Sequence, residues 1–523
     1  MLLNTLPPAL ENAEALIRRR AAASARKELW RGIYSEGYRY AMPARETFNW
    51  TSPGQEKGTA LYDSTLQELT HEAANTLCAL LFPSWMRWAE LAAGGAIPKG
   101  EVPPEVERGL QRATEVFFDF INNSNFTTVL HESALDLMIG TCALDFDEGD
   151  DDKPFIFTAV PLSAVELEEG PHGTVETTFM LRKPTARNIM RTYPGTQLWD
   201  LSAGVQDAIK TNPDKEVEVI QGEVYDPDTK RYYGIALECG AQTIFWRFDY
   251  GTSCPRIVAR ATKAAGELYG RGRVLQALPD ARTLNKMVEF VLRHAAMQIA
   301  PPYTAVSDGV INPYTVTLQP NTPIPVASND NTNPSLKLLE VGGNFNLSEK
   351  IMDTLRTRLR AAMLGPEGST GQPLSASEIT IADRNRLWAM NGEFNRIQSE
   401  LLVRIVIRGV YILQKKGLIP KFKIDGREVS VKFTSPFAKS QNSEDLMALQ
   451  NTIATIGPLG PAAVAISLKI DDIGEWAARK AGLDMSLVRT KEERTTMQQQ
   501  ATEAVSNAAE SGQMNPADMM KAA

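Results

Sequence analysis

A mainly α-helical protein carrying one mixed α/β lobe is the fold class this sequence predicts, on three observations. The first 140 residues place apolar side chains at helical spacing with few breakers. From Thr141 the period falls to two through several short runs. From Tyr269 to Pro420, two well-marked helices flank a Pro- and Asn-rich insert, and a Gly-rich loop then leads into one very long helix. That last order suits a rod-like protrusion with a tip and a flexible finger at its base, a machine part rather than a catalytic pocket.

Taken in order, Ala9 to Tyr40 is rich in Ala and Arg and reads as a long surface helix ending before Met42-Pro43. Ser52-Pro53-Gly54 marks a turn. Leu61, Leu66, Leu69, Ala73, Leu77 and Leu80 then recur at helical spacing up to Phe82-Pro83, after which Trp85 and Trp88 are expected on the core. A helix pair follows, from about Pro104 to Ile121 and from Asn125 to Ile139.

Strand-like alternation begins at Thr141 and resumes at Phe155 after a Gly/Asp turn over Gly149 to Asp152, predicting a hairpin. Val165 to Leu167, Val175 to Leu181, Val217 to Tyr225, Tyr232 to Leu237 and Thr243 to Phe248 continue the sheet. The acidic run Asp145, Asp147, Glu148, Asp150, Asp151 and Asp152 reverses the ligand and glycine order of a calcium loop, so a solvated turn is preferred.

In the rod, Asp280 after Pro279 is a candidate cap for a helix ending at Pro301-Pro302. Asn346 and Glu349 have capping-box spacing ahead of the stripe Ile351, Leu355, Leu359 and Met363, with Gly365-Pro366 as the stop. Ser375 and Glu378 open the last helix, which Gly417 and Pro420 end. Unbroken, it would be about 60 Å long. The insert Ala300 to Phe345 offers strands at Thr315 to Leu318 and Leu336 to Val341, suited to pairing with a neighbour. Beyond Pro420, Lys421 to Ile424 and Glu428 to Phe433 suggest a hairpin around Asp425-Gly426. Ser443 to Arg489 reads as short helices, and Thr495 to Ala523 as a Gln-, Ala- and Met-rich tail.

Composition and motifs exclude several function classes. At 523 residues, with 43% apolar and 23% charged content, the chain is an ordinary globular one of three or four domains, and its net charge of -8 disfavours a simple nucleic-acid-coating protein. Cys78, Cys142, Cys239 and Cys254 are widely spaced, which predicts neither a disulfide framework nor a zinc site and fits a reducing cytosol. No signal peptide and no membrane span is expected. A phosphate loop ending in Gly-Lys-Ser or Gly-Lys-Thr is missing, His71-Glu72 and His131-Glu132 lack the second histidine of a zincin, and G-x-S-x-G does not occur. No catalytic residue, metal site or cofactor is predicted.

Charge distribution says more than the total. Arg256 to Ala300 holds eight Lys or Arg against three acids, and Leu347 to Leu364 holds four against two. Arg356 and Arg360 share a helical face, with Lys350 on the same helix. Two readings stay open, a solvated or inter-subunit ion-paired face and weak contact with passing phosphates. The loop Gly365 to Leu374 is either a connector or a finger touching a moving ligand, and Gly270-Arg271-Gly272 reads as a tight hinge.

Several segments in this order resemble the portal, or head-tail connector, proteins of T7-like short-tailed phages. They are Leu61-Tyr62-Asp63-Ser64-Thr65, Leu80-Leu81-Phe82-Pro83 to Trp88, Tyr269-Gly270-Arg271-Gly272, Ala277-Leu278-Pro279-Asp280, Leu284-Asn285, Ser377-Glu378 and Phe433-Thr434-Ser435-Pro436-Phe437-Ala438. The resemblance spans nearly the whole chain, with Arg273 a departure from an expected proline. It implies a portal fold assembled as a ring, usually of twelve copies, at one capsid vertex of the virion, formed in the host cytoplasm. Double-stranded DNA would pass through the ring, with no enzyme activity of its own.

Mapped by that resemblance, residues 1–268 are the wing, 269–299 the first stem helix, 300–346 the clip, 347–364 the second stem helix, 365–374 the tunnel loop, 375–437 a spine helix and hairpin, and 438–523 the crown and tail. Lys350, Arg356, Arg360, Glu367, Ser369, Thr370 and Gln372 become channel candidates, and Gly270 and Gly272 the hinge. Implied partners are further copies of the chain, the large terminase packaging motor, major capsid and scaffolding proteins, a tail adaptor and internal core proteins, with no membrane. The alternatives are a virion adaptor or scaffold without a DNA channel and, disfavoured by the missing phosphate loop, a nucleic-acid motor ATPase.

Overall fold

Asn12 fixes where the first helix starts, because its side chain accepts from Ala15 N at 3.1 Å and so satisfies one of the helix's orphan amides. The helix, α1 (Ala13–Ala41), therefore begins four residues later than its composition alone suggests. The computed structural model describes residues 3, 5–49, 54, 57–58, 61–94, 104–299, 303–305, 336–338, 345–365, 391–422, 429–434, 448–456, 458, 468, 473–474 and 476–477. They fall into two compact units, Met1–Cys78 with Glu115–Phe422, and Ala79–Thr114 with Lys423–Ala523.

Downstream of α1 come α2 (Thr65–Leu81), β1 (Ala89–Ala93), α3 (Pro104–Asn122), α4 (Phe126–Ile139), β2 (Thr141–Glu148), β3 (Phe155–Val160), β4 (Val165–Glu169) and β5 (Val175–Arg182). Short α5 (Ile189–Thr192) and α6 (Ala203–Thr211) precede β6 (Val219–Asp226), β7 (Arg231–Glu238), β8 (Thr243–Gly251) and β9 (Arg256–Arg260). Then follow α7 (Arg273–Ile299), β10 (Tyr303–Ala305), β11 (Leu336–Leu338), α8 (Phe345–Leu364), α9 (Asn391–Ile397), α10 (Val403–Lys415) and β12 (Val429–Phe433).

The larger unit holds two antiparallel sheets, β3-β2-β9 and β4-β5-β6-β7-β8. The five-stranded sheet is covered on both faces. Leu6, Leu10, Leu16 and Ala23 pack with Phe179, Ile220, Val224, Ile235 and Leu237, whereas Ile189, Tyr193, Leu201 and Val205 pack with Val219, Phe245 and Trp246. In the three-stranded sheet Phe146 pairs with Phe157 in register, and their rings stack at 4.2 Å against α4 through Phe126. This burial accounts for the alternation seen in the sequence.

An ionic cluster joins the sheets. Arg256, buried on β9, donates to Asp145 at 2.7 Å and to Glu223 at 2.5 Å, and Arg182 reaches Asp145 at 3.2 Å. Burial holds the Glu223 carboxyl above the usual range while Arg256 pulls it down. Asp145 thus leaves the expected solvated turn for the interior.

Three further expectations change. Pro279 lies inside α7, which begins at Arg273, so Asp280 is no cap. The missing amide is tolerated where Pro279 is exposed and its neighbours Ala277, Leu278 and Ala281 are buried. Asn346 likewise falls inside α8. Trp85 is 72% exposed, while Trp88 is buried on Phe82 at 5.1 Å. In the smaller unit β12 pairs with β1, Phe433 opposite Ala89, a non-local ladder, while residues 423–428 of the expected hairpin lie outside the described residues.

The long helix is also not one regular α-helix. A π turn, Gln398–Leu402, separates α9 from α10 and aims Glu400 at buried Arg260, which donates to it at 2.7 Å. Residues 375–390 and the expected strand at 315–318 lie outside the described residues. Among the described residues of the insert β10 pairs with β11, Tyr303 opposite Leu338, and β11 lies within the strand expected from Leu336.

Candidate functional site

The helices α7 and α8 form an antiparallel pair, and the apolar spacing of each explains why. Leu355, Leu359 and Met363 are the buried stripe of α8, and Ala277, Leu278, Ala281 and Leu284 that of the proximal half of α7. Gly365, at φ 89°, ends α8 by donating to Ala361 O at 3.0 Å, as the Gly-Pro stop predicts.

The base of the pair is fixed by close backbone packing. A Cβ built on Gly270 would overlap Gly140 O, and one on Gly272 would overlap Met138 O. Gly272 N donates to Ile139 O at 2.8 Å, Gly270 N to Thr141 Oγ1 at 2.9 Å, and Tyr34 Oη to Gly270 O at 2.6 Å. The two glycines predicted as a hinge thus occupy a turn held from several sides. Arg273, where the resemblance led to an expected proline, opens α7. It donates to Glu393 on α9 at 2.8 Å and to Met363 O at 2.7 Å, tying both neighbouring helices to the same point.

Two motif fragments meet above this base. Asn285 Oδ1 accepts from Tyr62 N at 2.7 Å and Asp63 N at 3.3 Å, and Arg356 on α8 pairs with Asp63 at 3.2 Å. Asp63 Oδ1 also accepts from Thr65 N, capping α2. The loop at 61–63 therefore clasps both helices. Asp63 and Asn285 went unassigned in the sequence because their meeting is non-local, although both sit in quoted motifs.

The local basic excess looks different in three dimensions. All eight cations between Arg256 and Ala300 have acidic partners: Arg256 with Asp145 and Glu223, Arg260 with Glu169 and Glu400, Lys263 with Glu169, Arg271 with Glu267, Arg273 with Glu393, Arg282 with Glu36, and Lys286 and Arg293 with Glu289. The expected basic stretch is therefore compensated, largely by acids distant in sequence.

On α8, Arg356 is half-exposed and paired with Asp63 and, at 3.6 Å, with Asp353, while Arg360 is exposed on the same flank. Lys350 lies about 120° away, on the exposed face opposite the apolar stripe, in line with Thr354, Thr357 and Ala361. That face is small and polar. Glu367, Ser369, Thr370 and Gln372 lie outside the described residues. Among the described residues no group of three or more His, Cys, Asp or Glu could hold a metal, and no helix is long and apolar enough to cross a membrane. Burial pushes the thiols of Cys78, Cys142 and Cys254 up to about 12, so they are protonated at neutral pH.

A family model described as bacteriophage head to tail connecting protein matches residues 13–488. The chain is 21% identical over 437 residues to the portal protein of Escherichia phage T7, covering 80% of this chain and 78% of that relative. It is also 21% identical over 491 residues to the portal protein of Enterobacteria phage T3, covering 89% and 86%.

Proposed function

We propose, on the premise that this chain belongs to the bacteriophage head to tail connecting protein family, that its copies form a portal ring at one capsid vertex through which double-stranded DNA is packaged and ejected. The observation that carries this reading is the α7/α8 pair, clamped at its base and presenting on α8 a small polar face with one lysine per copy. A conduit for a polyanion must guide without gripping. Each phosphate neutralised adds to the affinity and its salt dependence, so a wall of Lys350, Thr354, Thr357 and Ala361, with nearby Arg356 already paired with Asp63, suits passage better than a dense basic stripe.

On this reading α7 and α8 are stem helices, the insert bearing β10 and β11 is the clip, 365–374 is the tunnel loop, and the sheet lobe is the wing. The chain beyond about 438 is the crown. The ring works structurally, without chemistry of its own, and docks the terminase packaging motor and tail adaptor outside and scaffold, capsid and internal core proteins at the head. Lys350 is the leading channel contact. Arg360 is a flank candidate, and Arg356 serves first the clasp to Asp63.

Heads assembled without the protein test this. They should contain no packaged DNA, and complementation should restore it. Normal packaging in its absence would reject the portal role and leave an adaptor without a channel.

A further inference from the structure

The five-stranded sheet has two edges, and the chain closes them differently. At one end β4 is short, five residues, and is bulged between Glu168 and Glu169. Its central amide, Leu167 N, donates to Tyr269 Oη at 3.2 Å, and Tyr269 is itself buried. Arg19 and Arg20 of α1 hold Glu168 and Glu166 on the same strand. That edge is shut by groups anchored in the core.

At the other end β8 is nine residues long and is paired in its sheet only with β7. Its run Thr243-Ile244-Phe245-Trp246-Arg247-Phe248-Asp249-Tyr250 is rich in β-branched and aromatic residues, lacks proline and carries no net charge. This is the composition of a strand that adds readily to another copy of itself. Extra residues at Phe245 and Tyr250 interrupt the ladder to β7, which leaves Trp246 to Asp249 as the regular stretch.

The segment ahead of α1 lands on that stretch. Leu3 N donates to Arg247 O at 3.2 Å, so Arg247 turns its backbone groups away from β7. Leu3 and Leu6 join the apolar cluster of Ile235, Leu237 and Ile244 on the sheet face, which seats the segment beside the edge. Pro7 and Pro8, having no amide, end its capacity to pair. The Arg247 side chain lies on the same face, because its partner Ile235 does. A charge turned inward on an edge strand is a second obstacle to an incoming strand.

We propose that the segment from Leu3 to Leu6 is a guard strap, which occupies the pairing edge of β8 and keeps it from forming a ladder with β8 of a second copy. The contrast between the edges carries this. β4 is closed by a buried tyrosine and two arginines, whereas β8 is covered by a backbone bond from a segment that precedes the first helix. Displacing the strap uncovers the one stretch of β8 that is regular enough to template a partner. The strap therefore suppresses association through a sheet edge, whatever larger assembly the chain forms.

The test compares the full chain with Leu3→Pro, which removes the donating amide, and with a chain lacking residues 1–5, which keeps Leu6 and Leu10 in the core. Light scattering and thioflavin fluorescence follow association, thermal melts report the fold, and hydrogen exchange reads the Arg247 amide. Both variants should melt as the full chain does and associate at least about fivefold faster, with the Arg247 amide protected in the associated form. Unchanged association in both, or associates in which that amide stays open to exchange, would overturn the strap. Loss of the fold in Leu3→Pro would overturn it too, by making the segment part of the core rather than a removable cover.

Discussion

Neutralising Asp63 separates two roles for Arg356. Asp63→Asn keeps the oxygen that caps α2 through Thr65 N and removes the charge that Arg356 pairs with; Arg356→Gln removes the other half. The Asp63 side chain is 9% exposed and that of Arg356 43%, so one end of the pair is buried and the other is screened by water. Exposed pairs contribute up to about 1 kcal/mol, and breaking a buried pair costs about 3–5 kcal/mol. Discounted for the exposed end, this pair is placed at about 1 kcal/mol. Hydrogen exchange reads it locally, because the Tyr62 and Asp63 amides donate to Asn285 within the same clasp. A loss of about 1 kcal/mol speeds their exchange about fivefold if they exchange by local opening. The clasp account predicts that both variants do this and share one packaging phenotype. Unchanged exchange in both, with a packaging defect in Arg356→Gln alone, would refute it and make Arg356 a DNA contact.

Three other perturbations have signs fixed by the structure. Arg256→Met strands the Asp145 and Glu223 carboxylates and should cost about 3–5 kcal/mol in a denaturant titration at pH 7. Glu223 already binds its proton more tightly folded than unfolded, so part of that loss should return as pH falls towards 5. Burial lowers Lys27 from 10.5 to about 8, so the folded chain holds its proton less tightly than the unfolded one. Stability should rise by about 2 kcal/mol between pH 7 and 9.5, and Lys27→Met should abolish that rise in the same titration. Gly272→Ala drives a Cβ into Met138 O and should cost at least about 2 kcal/mol, whereas Gly32→Ala, in open space on α1, should stabilise by about 0.5–1 kcal/mol; paired thermal melts compare them.

What was legible in the sequence was whatever is specified locally. Period-two runs gave seven of the strands of the larger unit, because each has a buried face, and Gly365 stopped α8 where its φ requires. β9 escaped notice because Arg256 and Arg260, at both its ends, look like surface charges until Asp145, Glu223 and Glu400 are brought to them. β12 was expected as a strand, but its pairing escaped for a related reason, its partner β1 being remote in sequence. The candidate site was legible in outline, as two helices around an insert, but its charges were not. A basic excess counted along the chain carries no information about acids folded against it. The clasp joining Asp63, Asn285 and Arg356 needed three distant segments at once.

Electron microscopy of the purified full-length protein tests the central claim most directly. The account predicts end-on views of a closed ring with a central hole wide enough for a DNA duplex, about 20 Å across, and side views in which the α7/α8 pairs form a narrower collar. Particles that stay monomeric, or that close without a hole, would contradict it.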